Sequence, residues 1–323
     1  MTKRARLAWI GLLGAAACKG DDSGPDPDPD TEDPTPVACA PQDWPIDQEG
    51  HQADRVDEDW RGKMAFHWMP PNPRGVVAVF HGSNQTAGTM RTVEHEELYN
   101  ELVERDLGYF AVGSIRGDWD REDPADSVDI DNVVSYLERL LQDTSLTADT
   151  PLFSLGFSGG GAFNVTFANG IEAHGWDYRG FSTHNSSRWE TAPVPSVFVS
   201  GANDHADEIR DNHQRQVDTG FDSTLYALEE IPLDPLRFTK IADIGEARSR
   251  SWFDEAVAFG MVDADGNRLS PIQDVNEVMD DFQDNSTGTG NPLATAQMRV
   301  LWRTHIFAAD RACDEAAFFD SLL

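Results

Sequence analysis

The stretch LFSLGFSGGGAFN, residues Leu152–Asn164, decides the fold because it joins a strand-like segment to a helix-like segment through one serine among glycines. Its first residues form a mostly apolar run, as in a buried strand, and apolar residues at helical spacing follow the glycines. Gly156, Ser158 and Gly160 fit the pattern G-x-S-x-G. Between a strand and a helix, this pattern predicts a sharp turn that presents the serine as a nucleophile.

Two other kinds of glycine-rich loop do not fit this stretch. A P-loop needs a lysine after its glycines, and none follows here. A dinucleotide-binding loop needs G-x-G-x-x-G, usually after the first strand, whereas this stretch follows a later one. A plain structural turn remains the alternative to a nucleophile.

The segments around this stretch alternate between strand-like and helix-like patterns. Strands are predicted over 63–69, 75–82, 109–114, 195–204 and 297–305. Helices are predicted over 86–107, 130–141, from 160 onward, and over 209–217, 248–259 and 315–323. Buried strands that alternate with helices predict an α/β fold with a doubly wound, mostly parallel sheet. Residues 218–292 are less regular and are interpreted as an insertion packed over or beside the sheet.

A nucleophilic serine needs a base, and the base needs a carboxylate that orients it. Asp204 stands at the end of a predicted strand, where catalytic groups gather on such sheets. Asp207 is the alternative acid. Of the nine histidines, only His305 lies after a later predicted strand and just before the terminal helix. A surface histidine without a catalytic role is the alternative interpretation of His305.

A second loop with glycines, FHGSNQTAG at 80–88, follows an early predicted strand. This loop, the serine turn, the acid and the histidine together resemble the α/β-hydrolase family over roughly residues 63–323. The nucleophile, acid and histidine follow one another in this order in that family, so the resemblance implies Ser158, Asp204 and His305 as catalytic residues. It also implies a sheet of the α/β-hydrolase type with an insertion before the histidine.

The resemblance further implies an oxyanion hole. His81-Gly82 resembles the start of the family's HGG loop, with Ser83 in the place of the second glycine. One amide donor would be that of Gly159, and the other that of Ser83 or of Gly82, which the sequence does not separate. His81 is expected to be a structural part of this loop.

Within the family, the chain resembles secreted esterases of the polyhydroxyalkanoate-depolymerase and feruloyl-esterase kind, by its GFSGGG elbow and by a predicted export signal in its first 18 residues. The implied activity is cleavage of a small or polymeric carboxylic ester, without a metal or an organic cofactor. A serine peptidase or a thioesterase on the same fold is the alternative enzyme, and an inactive tethered binding lipoprotein is the alternative of another class. The sequence DADGN, 263–267, predicts a tight turn, because its glycine comes too early for an EF-hand.

The first 18 residues are typical of a bacterial lipoprotein signal. Basic residues precede a short apolar run, and three alanines precede Cys18. Cys18 resembles the acylated cysteine of such signals, although Ala15 stands where the family usually has Leu. Export to the cell envelope with a lipid anchor is therefore expected, with membrane contact through that lipid only; ordinary secretion is the alternative.

The amino-acid composition predicts where the folded domain begins and which partners it does not bind. Residues 19–36 are rich in proline and acidic residues, which predicts a disordered linker, so that the catalytic domain covers 37–323. The formal net charge of −32 argues against nucleic-acid binding and against attachment to an anionic membrane through charge.

Two further cysteines, Cys39 and Cys313, lie near the two ends of the predicted domain. Exported proteins rarely keep free thiols, so the two cysteines that remain besides Cys18 are predicted to form a disulfide with each other. Two free buried thiols are the alternative.

Overall fold

The computed structural model describes Cys39 and residues 54–188, 190–269, 271, 279–280, 282 and 292–323. The predicted signal (1–18) and linker (19–36) lie outside the described residues, and so does most of the loop at 281–291. No helix among the described residues is long and apolar enough to cross a membrane.

Eight strands form one sheet: β1 (Val56–Trp60), β2 (Lys63–Trp68), β3 (Gly75–Phe80), β4 (Leu107–Ala111), β5 (Leu152–Phe157), β6 (Tyr178–His184), β7 (Ser196–Gly201) and β8 (Ser223–Leu228). Their order is β1-β2-β4-β3-β5-β6-β7-β8. The pairs formed by β1 with β2 and by β2 with β4 are antiparallel, and every other pair is parallel. Strands β3, β5 and β7 are buried at every position, as continuous apolar strands of a covered parallel sheet should be.

Seven α-helices have bounds within the described residues: α1 (Val93–Val103), α2 (Val128–Asp143), α3 (Gly159–Gly170), α4 (Ala206–Asp218), α5 (Glu246–Ala258), α6 (Pro292–Leu301) and α7 (Ala312–Asp320). Apolar residues of α2 and α3 form one core cluster with residues of the sheet, whereas residues of α1 and α7 form a different cluster with it. The two clusters take alternate residues of β3, whose side chains point to opposite faces of the sheet. The predicted α/β fold with a doubly wound, mostly parallel sheet is therefore confirmed.

Two sequence-based assignments were wrong. Residues 297–305, predicted as a strand, belong to α6 and the loop after it. Ala294, Met298 and Leu301 lie three or four residues apart, the spacing of one helix face, and all three are buried in one apolar cluster. The predicted insertion also starts too early, because Ser223–Leu228 pairs with β7 as the eighth strand.

The insertion therefore follows β8, and it has an apolar cluster of its own that includes Phe238 and Trp252. Buried polar contacts connect it to α1: Lys240 Nζ lies 2.8 Å from a carboxyl oxygen of Glu97, and an Arg237 nitrogen lies 3.0 Å from Glu94. Burial, followed by the nearby charge of Glu94, raises the pKa of Glu97 to about 8. These contacts fix the segment that leads to His305 against the body of the fold.

A disulfide bond joins Cys39 and Cys313, which are 274 residues apart in the sequence. Cys313 lies on α7, and its sulfur accepts a hydrogen bond of 3.1 Å from the buried guanidinium of Arg105. The bond ties the start of the described chain to the C-terminal helix.

Candidate active site

Ser158 stands between β5 and α3 in a strained backbone conformation, with φ of 53° and ψ of −118°. Such a conformation costs about 1–3 kcal/mol for a non-glycine residue and persists only where the surrounding structure enforces it. A Cβ on Gly156 would lie 2.3 Å from the carbonyl oxygen of Gly160, and a Cβ on Gly160 would lie 2.2 Å from that of Phe80. Both positions therefore need glycine for the turn to close.

The structure brings the side chains of Ser158, His305 and Asp204 together. His305 Nδ1 lies 2.7 Å from Asp204 Oδ2, and His305 Nε2 lies 2.7 Å from Ser158 Oγ. A carboxylate can only accept, so Nδ1 carries the proton and Nε2 accepts from the serine hydroxyl. This is the protonation pattern in which the imidazole can take the serine proton.

The alternative acid, Asp207, does not reach the histidine. Its side chain is 91% exposed and pairs with Arg210 at 2.6 Å, whereas the side chain of Asp204 is 5% exposed. The geometry therefore favours Asp204 over Asp207 as the partner of His305.

The loop that carries His305 is fixed to the loop that carries Asp204. Asn203 donates from its side chain to the Trp302 carbonyl at 2.8 Å and from its amide to the Arg303 carbonyl at 3.2 Å. The Arg303 guanidinium donates two hydrogen bonds of 2.7 Å to Asp310. Although burial alone would raise the pKa of Asp310, the hydrogen bonds and charge of Arg303 hold it below its usual value.

The structure separates the two candidates for the second oxyanion amide. The Gly82 amide donates to the side chain of Gln85 at 3.1 Å, so it is occupied. The Ser83 amide has no hydrogen-bond partner among the residues that the structure describes. A Cβ on Gly159 would lie only 2.9 Å from the Ser83 nitrogen, so the Ser83 and Gly159 backbones are adjacent. The arrangement favours Ser83 with Gly159.

A loop after β4 supports the loop that carries Ser83. His81 accepts from the Ser114 amide at 3.0 Å, the Trp119 indole donates to the His81 carbonyl at 2.7 Å, and Ser83 Oγ donates to Asp118 at 2.8 Å. His81 is fully buried, and burial lowers its pKa, so the ring is neutral and structural, as the sequence predicted. This support was not predicted, because no local motif connects Asp118 to Ser83.

In the described part of the chain, no group of three or more His, Cys, Asp or Glu side chains could hold a metal ion. The segment 263–267 forms a tight turn, in which the Asp263 carboxylate accepts from the amides of Asp265 and Asn267.

No protein-family model matches the chain, and no curated protein matches its sequence. Solved structures with similar folds include an esterase (LipW) of Mycobacterium marinum, at 11% identity and a TM-score of 0.43 over 62% of this chain and 78% of that one. An esterase of Pyrobaculum calidifontis has 10% identity and a TM-score of 0.42 over 61% and 81%. A dienelactone hydrolase of Anabaena variabilis has 13% identity and a TM-score of 0.36 over 60% and 90%. Similarities this low carry no argument about activity.

Proposed function

We propose that the chain is a serine hydrolase that cleaves carboxylic esters through an acyl-enzyme on Ser158. The observation that carries the proposal is the continuous hydrogen-bonded series from Ser158 Oγ through His305 to Asp204, with 2.7 Å at each step. The strained turn under the serine and the adjacent amides of Ser83 and Gly159 support it.

In the proposed reaction, Ser158 Oγ attacks the ester carbonyl and its proton passes to His305 Nε2. Asp204 stabilises the imidazolium that forms, and the amides of Gly159 and Ser83 donate to the oxyanion. Collapse of the tetrahedral intermediate breaks the bond to the alkoxy group, which leaves as the alcohol with the proton from His305. Water then attacks the acyl-enzyme by the same steps and releases the carboxylic acid.

A small ester with a chromogenic leaving group tests the proposal. We expect p-nitrophenyl butyrate to be hydrolysed by the wild type, and Ser158→Ala to lose at least about 1,000-fold in kcat. Ser135→Ala is the matched control, because that hydroxyl only donates to a carbonyl within α2. Equal rates for the wild type and Ser158→Ala would refute the proposal.

The alternative activities are separated by substrate and by probe. A p-nitroanilide cleaved faster than the matching ester would indicate a peptidase, and faster turnover of a thioester would indicate a thioesterase. Failure of the folded wild type to react with a fluorophosphonate would favour the inactive binding protein. Acyl chains of different length would then define the preferred ester.

We also propose that the enzyme is lipid-anchored at the cell envelope through Cys18, on the pattern of the first 18 residues. A Cys18→Ser variant expressed in a bacterial host should lose incorporation of labelled palmitate and leave the membrane fraction. Retention of both properties would contradict this assignment.

A further inference from the structure

Asn185 occupies a junction between the three segments that carry the candidate catalytic residues. It directly follows β6, which lies between β5 and β7 in the sheet. The carbonyl of the preceding His184 accepts from the Ser158 amide at 2.9 Å, so the backbone here also supports the serine turn. Asn185 is only 6% exposed.

The side-chain amide of Asn185 binds both neighbouring loops at once. Its oxygen accepts from the Gly201 amide at 2.8 Å, and its nitrogen donates to the Ile306 carbonyl at 2.7 Å. Gly201 ends the strand that leads to Asp204, and Ile306 directly follows His305. One side chain therefore links the end of the acid strand to the chain that directly follows His305.

The two sides of His305 are held by different residues. Asn203 binds the carbonyls of Trp302 and Arg303, which precede the histidine, whereas Asn185 binds the carbonyl that follows it. Beyond Ile306, the next attachments of this loop are the stacking of Phe307 between His95 and His184 and the hydrogen bond from the Ala309 amide to Glu94, so Asn185 makes the side-chain hydrogen bond nearest to His305 on this side.

Two features show that the position is specialised. Asn185 has a φ of 47°, a conformation that most L-residues avoid and that asparagine tolerates better than most. The small cleft that Asn185 shares with Gly201 and Ile306 has no room for a water molecule. In the wild type, both hydrogen bonds of the Asn185 side chain are therefore direct rather than bridged by water.

We infer that Asn185 is a positioning residue that holds His305 at the distance from Asp204 and Ser158 that proton transfer requires. The inference rests on the proposed serine-hydrolase function. Displacement of a reacting group by about 1 Å can cost about 100-fold in rate. The loss should fall on kcat, because Asn185 contacts the histidine loop rather than the site of the ester.

The first test compares Asn185→Ala and Asn185→Gly with the wild type, using p-nitrophenyl butyrate. Both variants lose the two hydrogen bonds, but glycine also relieves the positive φ. We expect both to lose about 100-fold in kcat with little change in KM. Recovery of wild-type kcat in Asn185→Gly would show that backbone strain, rather than the side chain, explains the alanine result, and would overturn the inference.

Gln216→Ala is the matched control for loss of a buried amide. Gln216 is buried on α4 and binds the backbone of Ala192 and Val194, ahead of the amino end of β7 and away from the candidate site. We expect it to lower the melting temperature while the folded enzyme keeps its kcat. A loss of kcat equal to that of Asn185→Ala would indicate a general effect of destabilisation and would refute the positioning role.

Asn185→Asp supplies a readout that a purely structural role would not change. A protonated aspartic acid can still accept from Gly201 and donate to Ile306, whereas the ionised form cannot donate and repels that carbonyl. The ratio of kcat for Asn185→Asp to kcat for the wild type should therefore rise as the pH is lowered from about 8 to about 5.5. A constant ratio would contradict the inference. An inactive wild type would instead refute the proposed function, so the two failures are distinguishable.

Discussion

The substitution Gly159→Ala tests the proposed oxyanion hole, because the added Cβ would displace Ser83. The added Cβ would lie 2.9 Å from the Ser83 nitrogen and 2.3 Å from Ser83 Oγ, whereas ordinary contacts begin at 3.4 Å. The Ser83 amide must therefore move by about 0.5 Å and the hydroxyl by about 1 Å, a scale of misplacement that can cost about 100-fold. The hydroxyl cannot rotate freely, because its hydrogen bond to Asp118 would break.

Loss of one oxyanion donor costs about 100- to 1,000-fold in kcat in serine hydrolases. Since the displacement is partial, we expect Gly159→Ala to lose about 100-fold in kcat with little change in KM, measured with p-nitrophenyl butyrate at saturating concentration. Gly245→Ala is the control, because a Cβ there meets nothing within 4 Å. A folded Gly159→Ala variant with unchanged kcat would refute the assignment of Ser83 and Gly159 as the two amides.

Asp204→Asn should lower kcat by about 10,000-fold, whereas Asp207→Asn should keep most activity, because only Asp204 contacts the histidine. The free energy of unfolding of Glu97→Gln, measured by denaturant titration, should rise relative to that of the wild type as the pH increases from 4.5 to about 8. The difference should grow by up to about 1.4 kcal/mol per pH unit. The sign follows because the folded wild type keeps this proton where its unfolded chain has released it, so wild-type stability falls through that window. Cys39→Ser should remove the bond to Cys313 and, by the chain-entropy model, about 5 kcal/mol of stability, which thermal unfolding would detect as a melting point lower by about 10 °C or more.

Each of these three predictions has an opposite result that would contradict it. Loss of activity in Asp207→Asn with retention in Asp204→Asn would reverse the acid assignment. A stability difference between Glu97→Gln and the wild type that does not change with pH would contradict the raised pKa of Glu97. An unchanged melting temperature in Cys39→Ser would show that the disulfide does not stabilise the domain.

The sequence predicted the parts of the fold whose patterns are local. The apolar runs at β3, β5 and β7 and the amphipathic α2 were recognisable because burial imposes a regular spacing. Strand β6, with the sequence YRGFSTH, was missed because its last three residues are all polar and break any apolar run, although five of its seven residues are buried. The buried hydroxyl of Ser182 in this strand is satisfied by Glu315 of α7, at 2.5 Å, and such a distant partner leaves no local signal.

The residues of the candidate site likewise differ in whether a local sequence pattern reveals them. Ser158 was recognisable because a strained turn demands glycines at fixed positions beside it, and this constraint is visible in the sequence. Asn185 and Asp118 carry no such constraint. Their contacts, to Ile306 and Ser83, cross between segments that only the folded sheet brings together. The choice between Gly82 and Ser83 likewise depended on Gln85, whose side chain occupies one of the two amides.

The most direct measurement is to identify the residue that a fluorophosphonate modifies in the folded protein. After reaction and proteolysis, peptide mass spectrometry should locate the adduct on Ser158 alone. His305→Ala should slow its formation by at least about 1,000-fold, because the serine then lacks the base that takes its proton. An adduct on a different residue, or none on well-folded wild-type protein, would contradict the central claim that Ser158 is an activated nucleophile.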